Sequence, residues 1–478
     1  MFDLDQPYPR DMVGYGRRPP RPAWPAGKRM AVQFVINYEE GGENNILHGD
    51  AASEAFLSEI VGAQPWPGQR HVNMESIYEY GSRVGFWRLW RLFTERSMPV
   101  TVYAVASAMA RNPDAVAAMT DAGWEIASHG LKWIDYRDHT SEAERADIDE
   151  AISLHTAIAG TRPLGLYQGR TSVNTLRIGA EEGGFLYLAD TYADELPYWQ
   201  IIAGRQQLIV PYTLDANDMR FATPQGFNTG EQFFTYLKDS FDVLYREGEA
   251  GHGGMMSVGL HCRLVGRPGR AAALARFLDY VQGHEDAWVA TRLDIAKHWV
   301  RHHPPASGYT PSRMGRALFV ELFGGVFEHT PSIAERAHAA GIGTGQDSAA
   351  GLHAALTAEM RALSSHAQDD LIRAHPDLAG KLALAGDLTA ASTGEQASAG
   401  LDRLDPEDLR RFTELNAAYR ERFGFPFIIA VKGLGRGEVL QAFETRIAHT
   451  PEAERYEALA QIERIARLRL DTLLASRA

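Results

Sequence analysis

Ionisable residues directly follow several short apolar runs of the chain, and each run has the composition of a buried strand. In barrels of alternating strands and helices, functional side chains gather at such strand ends. Any one of them alone is typical of a cap or a turn, but five strand ends together indicate an active site. The residues are Glu39 and Glu40, the pair Ser128-His129, the pair Gly169-Arg170, Asp190 with Asp194, and His261.

The elements that position these residues alternate in type over roughly the first 300 residues. Because strands alternate with helical stretches such as Ser76 to Arg96, we expect a parallel sheet or a (β/α) barrel. The runs are apolar throughout, which fits strands buried on both faces. They are MAVQFVIN from Met30, VTVYAVAS from Val100, EIASHG from Glu125, LYLADTY from Leu186, LIVPYT from Leu208 and MMSVGLH from Met255.

A second region with a different pattern follows the stretch RHHPPASGYTPSR, whose prolines and small polar residues indicate a linker. Beyond it the pattern is helical, over residues 314–325, 331–340, 348–373, 377–386, 394–400, 405–423, 436–448 and 451–475. Asp405 followed by Pro406 is typical of a helix start. We therefore predict an N-terminal domain over residues 1–305, a linker over 306–313 and an all-α domain over 314–478.

Composition excludes several classes of function. The 478 residues carry a net charge of −13, which argues against nucleic acid as a partner. No apolar run approaches the roughly 18 residues of a membrane-spanning helix. The N-terminal residues lack the apolar segment of a secretory signal, and Cys262 is the single cysteine. These features predict a soluble, cytoplasmic protein that does not bind membranes.

The order of the motifs resembles the polysaccharide deacetylase superfamily, whose fold is a distorted (β/α) barrel. Tyr38-Glu39-Glu40-Gly41 stands where that family has a pair of aspartates. His129 and Trp133 stand where it has two metal-ligating histidines. Because an indole is not a metal ligand, the resemblance predicts no zinc site with three protein ligands here.

This departure resembles one branch in particular, the metal-independent allantoinases and cyclic-imide hydrolases. The shared motifs are NYEEG from Asn37, ASHGLKWIDY from Ala127, GRTSVNT from Gly169, DTYADELPYW from Asp190 and LHCRLVGRPGR from Leu260. The resemblance implies hydrolytic opening of a hydantoin ring without metal or cofactor. It also gives the adjacent glutamates a function, since mutual repulsion would raise the pKa of one carboxyl and suit it to proton transfer.

The same resemblance assigns roles to individual residues. Glu39 is expected to be the general base, Glu40 to hold substrate or water, and His261 to be the acid or the stabiliser of the tetrahedral oxyanion. Arg170 and Asp190 are expected to orient these groups. The full set of substrate-contacting residues that we predict in this domain is Glu40, His129, Trp133, Arg170, Asn174 and Asp190.

In the helical region, Arg469 lies on the apolar stripe of the last helix, at the spacing 459, 462, 466, 469 and 473. A buried guanidinium needs an acceptor. Two interpretations follow, an internal salt bridge or an anionic ligand. Only under the second does Arg469 lack its partner in the empty protein, so that Arg469→Met would cost little stability.

Four further motifs, in order, resemble 2-oxo-4-hydroxy-4-carboxy-5-ureidoimidazoline (OHCU) decarboxylases. They are AHPDLAGK from Ala374, STGEQASAGL from Ser392, FTELNAAYRERFGFPFIIAV from Phe412 and RIARLRL from Arg464. The resemblance implies that His375 is the catalytic proton donor and that no cofactor is required. It implies that Arg469 holds a carboxylate or ring carbonyl and that Glu395 binds the ureido group and ring with Ser392 and Gln396. The other substrate contacts it implies are Pro376, Phe427, Ile428, Ile429, Ala430 and Val431.

Together the two resemblances predict a bifunctional enzyme of urate breakdown. The decarboxylase product, (S)-allantoin, is the substrate of the allantoinase. The partners expected are therefore these small molecules, OHCU and allantoin, together with further copies of the chain in a homo-oligomer. Two alternatives stay open for the N-terminal domain, a metal-dependent N-deacetylase and a catalytically inactive scaffold.

Overall fold

A computed structural model of the chain describes residues 10–379, 392, 395, 401 and 404–475. The chain divides into two compact units, Met1–Pro304 and Pro305–Ala478. The first is built on a sheet covered by helices, and the second is helical in the part that the structure describes. Within the described residues, no helix is long and apolar enough to span a membrane.

The first unit contains a nine-stranded sheet in the order β6-β7-β5-β4-β3-β2-β1-β8, with β9 paired to β1. Neighbouring strands are parallel except for the hairpin of β6 and β7. The strands are β1 (Met30–Tyr38), β2 (Thr101–Ala104), β3 (Glu125–Ser128), β4 (Gly165–Leu166), β5 (Tyr187–Leu188), β6 (Tyr198–Ile202), β7 (Arg205–Ile209), β8 (Met255–His261) and β9 (Ala287–Val289).

The register of the central strands brings the ionisable strand ends together. Tyr38 at the end of β1 pairs with Ala104, and Ala104 pairs with Ser128 at the end of β3. On the other side of β1, Asn37 pairs with His261 at the end of β8. Because these strands are parallel, the residues that follow them emerge at one edge of the sheet. All nine residues of β1 and all seven of β8 are buried, as their apolar composition predicts.

Nine helices accompany this sheet in the described residues of the first unit. They are α1 (Val72–Tyr80), α2 (Phe86–Thr94), α3 (Ala106–Arg111), α4 (Pro113–Asp121), α5 (Ser141–Ala159), α6 (Thr175–Glu182), α7 (Gly230–Glu249), α8 (Pro268–Gln282) and α9 (Arg292–His302). The predicted helix from Ser76 to Arg96 corresponds to α1 and α2, which are joined by a π-helical turn, Gly81–Gly85. A Cβ atom on Gly81 would lie 2.4 Å from the Glu40 carboxylate, so a glycine is needed for this turn to pack against the strand end.

Seven helices form the described part of the second unit. They are α10 (Arg316–Phe323), α11 (Ser332–Ala340), α12 (Ala349–Arg361), α13 (Ser365–Arg373), α14 (Pro406–Phe423), α15 (Arg436–Arg446) and α16 (Pro451–Leu473). The prediction of one helix over 348–373 is wrong, because Ser364 interrupts it and caps α13 by accepting a hydrogen bond from the Ala367 N–H. The predicted helices over 377–386 and 394–400 lie almost entirely outside the described residues.

An extended segment, Phe427 to Val431, runs through the core of the second unit. Phe427 stacks on Phe443 with ring centroids 3.9 Å apart. The guanidinium carbon of Arg446 lies 4.5 Å from the centroid of the Phe427 ring. The Ala430 N–H donates to the Gln461 side chain at 3.0 Å. Backbone that is neither helix nor strand is thus held in place by side chains.

Candidate active sites

Three side chains meet at the carboxyl edge of the sheet in the first unit. Oε1 of Glu39, which follows β1, lies 3.3 Å from Nε2 of His129 and 3.4 Å from Nε2 of His261. The other ring nitrogen of His129 bonds to the Tyr167 carbonyl at 2.9 Å, which fixes the ring. Glu39 and His129 are each 1% exposed. Three residues that the sequence placed at separate strand ends therefore form one buried cluster.

His261 is paired with a second carboxylate, Asp218. Nδ1 of His261 lies 2.6 Å from Oδ1 of Asp218, and the His261 N–H donates to Oδ2 at 2.8 Å. Burial alone would lower the pKa of His261, but the charges of Glu39 and Asp218 outweigh it and raise that pKa to about 9. His261 is therefore protonated at neutral pH, and can donate a proton or stabilise a negative charge.

A buried arginine, Arg263, lies against both glutamates. Its Nη2 is 2.7 Å from Oε2 of Glu39 and its Nη1 is 3.4 Å from Oε1 of Glu40. Its backbone N–H also donates to Oε1 of Glu40 at 3.1 Å. Two like charges can therefore follow a buried strand because a guanidinium compensates them.

The surroundings shift the pKa values of the two glutamates in opposite directions. Burial favours the neutral form of Glu39, but Arg263 and His261 outweigh it and hold the pKa of Glu39 well below its usual range. Burial raises the pKa of Glu40 against the effect of Arg263, and the Glu39 charge adds to the rise. We expected repulsion to raise the pKa of one glutamate. The raised pKa is that of Glu40, with burial as the main cause and repulsion as a smaller one, whereas the pKa of Glu39, the residue predicted to be the base, is lowered.

Trp133 and Arg170 form an aromatic and cationic wall. The guanidinium of Arg170 stacks 3.8 Å from the centroid of the Trp133 ring and lies 3.3 Å from the Glu54 carboxylate. The backbone N–H of Trp133 donates to the Gly42 carbonyl at 2.8 Å, which connects the loop that contains Trp133 to the segment after Glu40. Arg170 thus positions Trp133 through its flat face.

Asp190 acts on the backbone of the neighbouring loop. Its two carboxylate oxygens accept hydrogen bonds from the N–H groups of Gln168 and Gly169 at 2.8 and 2.7 Å. Burial raises the pKa of Asp190 to about 6, although both hydrogen bonds oppose the rise. Asn174 lies further along the loop, before α6, where its side-chain oxygen accepts from Arg177 and its N–H donates to Ser172. The observed bonds of Asn174 are thus local, and its role in substrate binding stays a prediction.

In the second unit, a small pocket collects most of the residues predicted to bind substrate. It contains His375 at the end of α13, Arg469 from α16 and the extended segment from Phe427. The lining residues are His375, Pro376, Leu378, Ser392, Glu395, Phe427, Ile428, Ile429, Val431, Ile465 and Arg469. Ala430 is buried but does not line the pocket. Gln396 lies outside the described residues.

Arg469 has protein partners inside this pocket. Its Nε and Nη2 lie 2.8 and 2.9 Å from the two carboxylate oxygens of Glu395, and Nη1 lies 3.0 Å from Oε2 of Glu328. The Ser392 hydroxyl bonds to Glu328 at 3.2 Å. The expectation that Arg469 lacks a partner in the empty protein is therefore wrong, because both carboxylates that compensate its charge belong to the same unit.

His375 presents one ring nitrogen to the pocket. Its Nδ1 donates to the Leu371 carbonyl at 2.9 Å, so Nε2 remains for a ligand. Burial lowers the pKa of His375, although the charges of Glu328 and Glu395 partly oppose that change. The empty pocket therefore favours a neutral imidazole.

Comparison with known proteins identifies both units. The model of the OHCU decarboxylase family matches residues 312–471, and that of the polysaccharide deacetylase family matches residues 74–177. A putative polysaccharide deacetylase of Schizosaccharomyces pombe is 40% identical over 314 residues, which are 62% of this chain and 98% of the relative. The OHCU decarboxylase of Amia calva is 39% identical over 158 residues, which are 33% of this chain and 87% of the relative.

A solved structure adds to this comparison. The crystal structure of Puue allantoinase is 57% identical, has a TM-score of 0.61, and covers 62% of this chain and 99% of that one. The chain belongs to the polysaccharide deacetylase and OHCU decarboxylase families. The unit Met1–Pro304 is called the deacetylase-type unit below, and Pro305–Ala478 the decarboxylase-type unit.

The residues of the deacetylase-type unit do not fit a metal ion at the position where the polysaccharide deacetylase family has two metal-ligating histidines. Trp133 offers no lone pair, and the Nε2 atoms of His129 and His261 are both directed at one oxygen of Glu39. The other oxygen of Glu39 faces the Arg263 guanidinium at 2.7 Å. Among the described residues, no group of three or more His, Cys, Asp or Glu side chains has the geometry to hold a metal ion.

Three residues of these sites were not predicted from the sequence. Arg263 lies inside the motif LHCRLVGRPGR, two residues after His261, and its position beside a strand end is the signal that could have identified it. Asp218 begins no apolar run, and its pairing with His261 depends on the fold. Glu328 of the decarboxylase-type unit is 2% exposed and precedes α11, where the sequence resembles an ordinary helix start.

Proposed function

We propose that the chain is a bifunctional enzyme of urate degradation, with one activity in each unit. Residues 314–478 decarboxylate OHCU to (S)-allantoin, and residues 1–305 hydrolyse the hydantoin ring of allantoin to allantoate. The observation that carries the proposal is the presence of two complete clusters of acid–base groups, Glu39 with His261 and His375 with Glu395, in units of these two families.

Ring opening requires that water lose a proton, that the carbonyl oxygen be stabilised and that the leaving nitrogen gain a proton. Glu39 is the ionised carboxylate and accepts the proton of the attacking water, while Arg263 keeps Glu40 in place beside it. His261 is protonated, so it stabilises the tetrahedral oxyanion and then protonates the nitrogen as the ring C–N bond breaks. Trp133, held by Arg170, is also in contact with the Arg263 guanidinium beside the two glutamates.

Decarboxylation breaks the bond between the ring carbon and the carboxylate of OHCU. Carbon dioxide leaves, and the electron pair is delocalised over the imidazoline, which explains why no cofactor is needed. Nε2 of His375 then delivers one proton to a single face of the ring. The substrate carboxylate adds a negative charge near His375 and so favours its protonated form. Glu395, paired with Arg469, presents acceptors to the ureido N–H groups.

The proposal is tested by supplying racemic allantoin to the full chain and following both allantoate and the residual enantiomer. Formation of allantoate supports the hydrolase activity. A unit that is an inactive scaffold would leave allantoin unchanged in the presence of active decarboxylase. A metal-dependent N-deacetylase would require added metal and would act on N-acetyl groups instead. Assembly into a homo-oligomer and a cytoplasmic location are further parts of the proposal, and sedimentation of the purified chain tests the first.

The rate of ring opening is expected to fall on the alkaline side, near pH 9. His261 must be protonated to act as acid, and its pKa is raised to about 9, so activity is retained below that pH and is lost as pH rises through it. The measurement is kcat/KM for allantoin as a function of pH. A profile that falls between pH 6 and 7 instead would show that His261 does not supply the proton.

Glu39→Gln is expected to slow ring opening about 100-fold or more, the usual effect of losing a general base. The amide keeps the size of the side chain but cannot accept a proton from water. Decarboxylation measured on the same preparation should not change, because His375 and its pocket belong to the other unit. Near wild-type hydrolysis by Glu39→Gln would remove Glu39 from the mechanism.

A further inference from the structure

Arg263 is fully buried, and its contacts concentrate on the catalytic edge of the sheet. The guanidinium faces Glu39 at 2.7 Å and Glu40 at 3.4 Å, while its Nε donates to the Leu57 carbonyl at 2.8 Å. The guanidinium carbon lies 4.4 Å from the centroid of the Tyr78 ring. The side chain is 0% exposed, so the groups that offset its charge lie inside the protein.

Trp133 supports the same guanidinium from another side, with its ring centroid 5.0 Å from the guanidinium carbon of Arg263. Tyr78 and Trp133 thus offer two aromatic rings to a planar cation, an arrangement that suits arginine and not lysine. The donors of Arg263 reach two carboxylates that are adjacent in sequence. A free cation that compensated the charges of Glu39 and Glu40 would have to lie between these two carboxylates.

The Glu39 carboxylate that faces this guanidinium also faces two imidazoles. Glu39 faces Arg263 through one oxygen and the two histidines, His129 and His261, through the other. Carboxylate oxygens and imidazole nitrogens are the ligands that zinc takes in catalytic sites. The positive charge that faces both glutamates here is that of Arg263, which is covalently attached.

We propose that the guanidinium of Arg263 is a built-in cation that takes the place of a metal ion in the deacetylase-type unit. It acts as a positioning residue. It keeps Glu39 ionised and holds the side chains of both glutamates in place beside His261. As far as it concerns ring opening, the inference rests on the proposed hydrolase function. It makes two separate predictions, one about catalysis and one about ligand binding by a variant.

Removing the guanidinium should create a cation site. In Arg263→Ala, the carboxylates of Glu39 and Glu40 would face the space that the guanidinium fills in the wild type, while His129 and His261 stay on the other oxygen of Glu39. This space should accept the guanidinium ion, which restores the lost group, or Zn²⁺, which takes carboxylate oxygens as ligands. The wild-type chain should bind neither of them at this position, since its own side chain fills it.

The experiment uses the full-length chain in wild-type form and as Arg263→Ala, Arg263→Lys and Arg276→Ala. Arg276 is the matched control, since it pairs with Glu231 at 2.8 Å and is 51% exposed. Zinc binding is measured by equilibrium dialysis. Guanidinium binding is measured as a rise in melting temperature at concentrations that do not denature the wild type. Hydrolysis of allantoin is followed with and without guanidinium.

Arg263→Ala is expected to lose at least about 100-fold in kcat and to recover at least about tenfold with guanidinium. It should also bind one Zn²⁺ that wild type and Arg276→Ala do not bind. Arg263→Lys should fold, because the charge is kept, but should lose kcat with little change in KM, because an ammonium cannot reach both glutamates.

Several results would overturn the inference. A folded Arg263→Ala chain that gains neither guanidinium nor zinc would show that the residue is not in the place of a cation. If Arg263→Ala does not fold, Arg263→Lys decides, and a Lys variant with wild-type kcat per folded molecule would make Arg263 merely structural. Absence of allantoin hydrolysis by the wild type would refute the proposed function. The zinc and guanidinium binding measurements would then decide whether Arg263 stands in the place of a cation.

Discussion

Arg469→Met is expected to destabilise the decarboxylase-type unit by about 3–5 kcal/mol, the usual loss when one partner of a buried ion pair is removed. The Arg469 side chain is 8% exposed and Glu328 is 2% exposed, so removal of the guanidinium takes away the ion-pair partner of a buried carboxylate. For a unit of this size, about 2–4 °C is lost per kcal/mol, which predicts a melting temperature lower by roughly 6–20 °C. Thermal unfolding followed by calorimetry measures the change.

Arg467→Met is the matched control, because it removes an arginine two positions away on the same helix. Arg467 pairs with Asp471 at 3.0 Å and is 43% exposed, so its loss should cost at most about 1 kcal/mol. The double variant Arg469→Met/Glu328→Gln should recover part of the loss by removing the stranded charge. If Arg469→Met melts within a few degrees of wild type and loses only decarboxylation, the arginine serves the ligand and not the fold.

The sequence could predict which strand ends carry chemistry, but not which charges compensate them. Glu39, His129 and His261 each follow an apolar run, and the parallel register then brings them to one edge. The partners Arg263 and Asp218 contribute through contacts over long sequence separations. Residues that are close together in the sequence do not reveal such long-range pairs. The direction in which the pKa of each glutamate is shifted therefore could not be assigned before the fold was known.

The same limit explains the errors in the helical unit. The stripe that contains Arg469 predicted its burial correctly, and two interpretations of its partner remained. Glu328, which decides between them, lies 141 residues earlier in the chain. The break at Ser364 was missed because serine is compatible with a helix interior as well as with a cap, and only the bond to the Ala367 N–H distinguishes the two.

Short and half-exposed strands were also missed. β6 carries exposed residues at its centre and pairs antiparallel with β7 through the turn at Ala203 and Gly204, which both have positive φ. β9 has only three residues, all partly exposed. Apolar runs identify strands that are buried on both faces, such as β1 and β8, and are weak indicators for strands at the margin of a sheet.

His375→Ala is expected to abolish the stereospecific decarboxylation of OHCU while leaving allantoin hydrolysis unchanged. Because OHCU also decays spontaneously to racemic allantoin, disappearance of the substrate is not a sufficient assay, and circular dichroism of the product is needed. Wild type should give (S)-allantoin, and His375→Ala should give no enantiomeric excess, with an enzymatic rate lower by about 100-fold or more.

The physical reason is that His375 contributes the one ring nitrogen, Nε2, that can reach the ring carbon while Nδ1 is held by Leu371. Loss of that hydrogen bond costs only about 1 kcal/mol, so the variant should fold. His366→Ala is the control, since His366 lies on α13, which ends two residues before His375, and is 86% exposed. If His375→Ala still produces (S)-allantoin rapidly, another group delivers the proton. If both variants produce racemate, the loss of (S)-allantoin is not specific to His375, and the assignment of the proton to His375 falls.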